Sequence, residues 1–238
     1  MVTDSQHISQ QFDKELQDVR SRVLAMGGLL EQQVSHALEA LMTGNIELAR
    51  EAIEIDIQIN SLEMSIDEEC IQILALRQPT AGDLRLVTAI LKTMTDLERI
   101  GDEAASIARM AQNLSQKDRP KKNYRELQVL GNHVRGMLRD ALDAFARFDV
   151  DQALKVVGEN ENVDSEYESI IRQLITYMME DPRAVTRAID MMWSARSLER
   201  IADHAYNVCK HIIYLVEGKD VRHLSVEKME KVLNRTSD

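Results

Sequence analysis

Two nine-residue stretches, DLERIGDEA at Asp96–Ala104 and SLERIADHA at Ser197–Ala205, carry the same pair of acids: Glu98 with Asp102, and Glu199 with Asp203. Residues four apart share one face of a helix. Two like charges at that spacing cost about 0.2–0.5 kcal/mol in an isolated helix, where a base would have stabilised it. A cation between the acids reverses that sign. Oxygen-only ligands suit hard cations such as Mg²⁺, Ca²⁺ or Mn²⁺, and carboxylates also hold iron. The segment before each pair supplies more oxygen: Asp56 and Asn60 in the first half, Asn160 and Asp164 in the second. Each half keeps one acid and one amide, in swapped order. Glu63 and Asp67 extend the first stripe, while Tyr167 and Ile171 stand at those places in the second. The candidate ligands are therefore Asp56, Asn60, Glu98 and Asp102, then Asn160, Asp164, Glu199 and Asp203, for a divalent metal or iron (Mg, Mn or Fe). The two sites are expected to differ in strength. A solvated acidic face is the plain alternative, because the spacing is common; its duplication in one register points to a site.

The elements that position these acids are helices. Hydrophobic residues make up 44% of the chain, enough for a core, while aromatics are 4% and there are 3 prolines, so strands are disfavoured. The 3.6-residue period predicts helices over Ser5–Met42, Ile46–Leu76, Ala81–Leu114, Tyr124–Phe148, Val150–Glu180 and Pro182–Glu217, with a short one after Ser225. Asn45, Asp149 and Asp181 with Pro182 read as caps, and Thr80 with Asp83 as a capping box. Leu97, Ile100, Ala104, Ile107, Ala111 and Leu114 form a heptad seam, as do Leu198, Ile201, Ala205, Val208, Ile212 and Leu215. In both, the Glu falls at b and the Asp at f, which predicts that the acids face outward.

The repeat extends beyond the acids. ALEALMTGNIELA from Ala37 matches ALDAFARFDVDQA from Ala141. The fold class expected is all-α: two tandem antiparallel three-helix bundles from an internal duplication. The domains expected are 1–115 and 123–218, followed by a charged tail at 219–238, with the polar, basic stretch Ser115–Asn123 as linker.

The formal charge of −11 argues against nucleic acid and against adsorption to an anionic membrane. Cys70 and Cys209 lack metal or disulfide spacing and read as buried thiols. No apolar run approaches membrane-spanning length and the N-terminus is polar, so a cytoplasmic protein without membrane insertion is expected. Di-metal oxidases of helical bundles repeat Glu-x-x-His on inward faces; no Glu-x-x-His occurs here, and no phosphate loop or nucleophile–base pair is visible. A carboxylate-bridged oxidase is thus disfavoured. A metal-binding helical scaffold without a signalling role remains an alternative.

The duplicated LERIGD/LERIAD motif, RQPTAGDLRLV at Arg77–Val87 and RQLITYMMEDPR at Arg172–Arg183 resemble the PhoU family of phosphate-signalling proteins over nearly the whole chain. The resemblance implies two three-helix bundles bearing metal clusters on their faces. Asn60 and Asn160 depart from a strict acid pattern there. It also implies a cytosolic, non-enzymatic negative regulator of phosphate uptake and of the phosphate-starvation regulon. The implied partners are the ATPase subunit of a phosphate ABC transporter and the sensor histidine kinase of a two-component system. A homodimer is expected as well: Gly27 and Gly28, beside Met26, Leu29 and Leu30, would allow close helix approach.

Overall fold

The computed structural model describes residues 3–79, 81–115 and 124–233, with side chains from residue 11 onward. The helices are α1 (Thr3–Thr43), α2 (Ile46–Arg77), α3 (Ala81–Ser115), α4 (Arg125–Arg147), α5 (Val150–Glu180), α6 (Val185–Glu217) and α7 (Val226–Val232). No strand occurs among the described residues. Thr80, and with it the expected capping box, and the linker stretch 116–123 lie outside them.

Local chemistry sets the helix starts. Asn45 Oδ1 accepts from the backbone N–H groups of Glu47 and Leu48, and Asp149 Oδ1 accepts from that of Gln152 at 3.0 Å. Such caps each contribute about 1 kcal/mol. Asp181 accepts from Arg183 N–H, but the chain then makes a 3₁₀ turn, Pro182–Ala184, and α6 begins only at Val185. At the far end Gly218 takes φ +68°, and its N–H closes on the Tyr214 carbonyl.

α1, α2 and α3 pack on one another, as do α4, α5 and α6, giving the two three-helix bundles. α3 and α6 then share the most extensive contact between any two helices. The seam residues Leu97, Ile100, Ile107, Leu198 and Ile201 are wholly buried, each contributing about 1.5–3 kcal/mol.

α1 meets α4 with reciprocal packing. A Cβ on Gly27 would lie 2.8 Å from Cδ2 of Leu142, and one on Gly131 would lie 2.5 Å from Cδ2 of Leu38. Gly27 and Leu38 repeat as Gly131 and Leu142, so the contact is nearly self-complementary, as in a two-fold interface. This corrects the expected use of Gly27. Its close approach is spent within the chain, on the second bundle, and Met26 and Leu30 are wholly buried. Gly28 is exposed with nothing within 4 Å of a built Cβ.

The charged segment after α6 is packed against the second bundle. Val221, Met229 and Leu233 are buried, α7 packs against α5, and Lys210 Nζ donates to the Arg222 carbonyl at 3.0 Å.

Candidate metal centre

On the second bundle, α5 carries Asn160 and Asp164 one turn apart, and α6 carries Glu199 and Asp203 one turn apart. The helices lie side by side, so the four converge. Oxygens of Asp164, Glu199 and Asp203 lie within 4.8 Å of one another, the one such group of acids, histidines or cysteines among the described residues. Asn160 Nδ2 donates to Asp203 Oδ1 at 3.2 Å. Arg196 Nη1 lies 2.7 Å from Glu199 Oε1.

Glu199 is 8% exposed, which corrects the outward placement expected from its b position. A heptad seam assumes one neighbour, but α6 packs on α3, α4 and α5 at once, so little of its circumference reaches water. Burial, then the neighbouring Asp203, push the Glu199 carboxyl above its usual pKa against the pull of Arg196. Burial, then Asp203, Glu168 and Glu161, do the same to Asp164.

Glu199 Oε2 and Asn160 Oδ1 are buried without a hydrogen-bond partner. Leaving such acceptors unsatisfied is costly. Both are oxygens with no proton to donate, set among carboxylates that repel one another. A hard cation fits that donor set, and the residues that would hold it are Asp164, Glu199, Asp203 and Asn160. Bound there, it would supply the positive charge that the cluster lacks.

The first bundle brings Asp56 and Asn60 of α2 toward Glu98 and Asp102 of α3 more loosely. Burial, opposed by the Gln33 amide, raises the Asp56 pKa, with Asp102 adding to it. Burial, then Asp102, raise that of Glu98. Arg99 lies 3.4 Å from Glu98 and 3.5 Å from Asp102. The buried Gln33 Nε2 reaches Asp56 Oδ1 at 3.3 Å and the carbonyls of Ala52 and Gly101, both at 3.1 Å. A protein amide thus stands beside Asp56 where a cation would. Gly101 makes room for it: a Cβ there would lie 3.3 Å from Asp56 Oδ1 and 3.4 Å from Gln33 Oε1. In the second half Met137 and Ala202 occupy the matching positions, both buried and neither polar. Asn60 Oδ1 is buried without a partner, as is Gln33 Oε1.

A second polar cluster escaped the sequence reading. Asp96 of α3 accepts from His204 Nδ1 at 2.8 Å, Asn207 Nδ2 at 3.3 Å and His211 Nε2 at 2.9 Å, all on α6. Beside it, Arg200 Nε lies 2.7 Å from Glu103 Oε1, also across α3 and α6. The i, i+7 spacing of His204 and His211 placed them on one face; their shared partner came from the other half of the chain. The thiols of Cys70 and Cys209 are buried, and burial pushes that of Cys70 up to about 12.

Duplicated three-helix bundles joined along α3 and α6, each with an acid pair against its neighbouring helix, define the class of protein. The PhoU domain matches this sequence twice, over residues 23–111 and 127–212. The chain is 52% identical to a phosphate-specific transport system accessory protein PhoU homolog of Pseudomonas putida, over 97% of this chain and 90% of that one. The crystal structure of PhoU from Pseudomonas aeruginosa superposes with a TM-score of 0.86 at 52% identity, covering 87% of this chain and 100% of that one. The phosphate transport system regulatory protein PhoU from Streptococcus pneumoniae gives 0.81 at 31% identity, over 88% and 99%. This chain belongs to the PhoU family.

Proposed function

We propose that this protein is an accessory protein of phosphate transport, and that it acts as a cytoplasmic negative regulator of phosphate uptake and of the phosphate-starvation regulon. The observation that carries the reading is identity of 52% along nearly the whole chain with a protein named as such an accessory protein. In this reading it couples the ATPase subunit of a phosphate ABC transporter to a sensor histidine kinase by binding both, without catalysing a reaction. It reaches the membrane only through those partners; among the described residues no helix is long and apolar enough to cross a membrane. It works as a homodimer, through a surface other than the Gly27 contact.

A divalent metal or iron is part of the proposal, held first at the α5–α6 cluster and more weakly, if both fill, at the α2–α3 face. Two orphaned buried oxygens among repelling carboxylates support the stronger site. The test is genetic and biochemical together. A strain lacking the gene should express alkaline phosphatase in high phosphate, and this chain should restore repression. Purified ATPase subunit and kinase should each associate with it at micromolar concentration. Unchanged repression in the deletion strain would sink the regulatory reading. Metal analysis of protein purified without chelator tests the centre separately.

A further inference from the structure

The duplication supplies an internal control for each surface of the molecule. Where α5 and α6 run side by side, Tyr167, Ile171, Ile189, Met192, Trp193 and Arg196 line an open recess of about 430 Å³. The matching positions along α2 and α3 are Glu63, Asp67, Thr88, Leu91, Lys92 and Thr95. The same pairing of helices therefore forms with mostly polar residues, so the fold does not require the apolar ones. Trp193 is nonetheless 60% exposed and Ile189 43%. Ile175 and Met179, 44% and 80% exposed, continue the strip one and two turns further along the same face of α5. Exposed apolar strips rimmed by polar groups mark contact surfaces, and Trp is among the residues enriched at their energetic centres.

Charge selects the occupant. The recess ends at the acidic cluster, and Arg196, which lines it, is engaged with Glu199. Glu161, Asp164 and Asp203 make no ion pair with a described residue, and the chain carries −11 overall. A second copy would bring like charge to that end; with Glu161 beside the three clustered carboxylates, the end stays net negative even around one bound cation, so a partner with bases there would meet complementary charge. Two helices side by side leave a groove that takes the apolar ridge of a third.

We propose that the α5–α6 groove is the docking site for one amphipathic helix of a protein partner, apolar where it enters the recess and basic where it passes Asp164 and Asp203. This deepens the regulatory reading, because it names the surface and the chemistry through which a partner is held.

Trp193 is the only tryptophan of the chain, so its emission reports the groove directly. The probe is a synthetic leucine–lysine peptide of about four helical turns, amphipathic as a helix, titrated in chelator so that metal plays no part. A saturable blue shift is expected with wild type. It should weaken about tenfold or more in Ile189→Ser, which is exposed, and in Ile171→Ser, which is half-buried; neither residue belongs to the buried core. Equal affinity in those variants, or equal binding of a scrambled peptide of the same composition, would overturn the proposal. So would a blue shift that grows with protein concentration alone, which means a second copy, or one produced by phosphatidylcholine vesicles, which means lipid. In the deletion strain, Ile189→Ser should repress less than wild type, and full repression would also overturn the groove's role. If wild type itself fails to repress, the regulatory reading falls and the peptide titration still decides the groove.

Discussion

The carboxylate of Asp96 on α3 and the imidazole of His204 on α6 meet at 2.8 Å across the contact that joins the two bundles. Burial alone would raise the Asp96 pKa, but the hydrogen bonds from His204 and His211 outweigh it and hold the group below its ordinary 3.8. Asp96→Ala strands the ring nitrogens and the Asn207 amide, and should cost about 1–3 kcal/mol in urea unfolding at neutral pH. A lowered folded pKa gives stability that is present above 3.8 and lost as pH falls through the folded value. The difference between wild type and variant should therefore close below that point. A persistent difference at lower pH would mean that packing, not the carboxylate, is at work.

The cluster on the second bundle should behave with the opposite sign. Burial and like charge raise the Glu199 pKa, so the folded protein binds the proton more tightly than the unfolded chain does. Its contribution to metal-free stability should fall as pH rises from 4.5 through the folded value. Glu199→Gln removes that repulsion, and in chelator it should melt at or slightly above wild type, by about 0.2–0.5 kcal/mol. Metal retention should drop at the same time, since an amide is a poorer ligand for a hard cation. Melting well below wild type would make the carboxylate structural.

The α1–α4 contact predicts a packing defect without a change of assembly. Gly131→Leu drives atoms into Leu38 and should cost about 1–3 kcal/mol in thermal unfolding. Light scattering on Gly131→Leu should match wild type, because this surface lies inside the chain. A variant that shifts toward the 27.1 kDa chain mass while keeping its stability would place the contact between copies instead.

Core and tail should answer alike. Ala205 is wholly buried in the α6 seam, and Ala205→Asp leaves a carboxylate without a partner, costing several kcal/mol or forcing it neutral. Met229 of α7 is also wholly buried, and Met229→Ala should cost about 2–5 kcal/mol. A loss under about 0.5 kcal/mol, the range of surface substitutions, would mean that α7 is not held against the second bundle.

Periodicity and punctuation are local properties, and the chain alone determined what depends on them. The seam from Leu97 to Leu114, the caps at Asn45 and Asp149, and the duplication of the bundles could all be read before any contact was known. The repeat also named the acids of the cluster and the swap of Asn160 and Asp164 against Asp56 and Asn60. Tertiary structure alone decided how deep those acids lie. Glu199 sits at a position that a two-helix seam leaves in water, and three neighbours around α6 bury it. Gln33 reaches Asp56 from α1, a helix whose own period says nothing of α2. Asp96 finds its histidines only because α3 lies along α6. Gly27 suggested a close approach, but whether the partner was another copy or the other half of this chain was a question of topology. A period records which face of a helix is apolar; how many neighbours that face meets, and which polar group crosses from them, follows only when the helices pack.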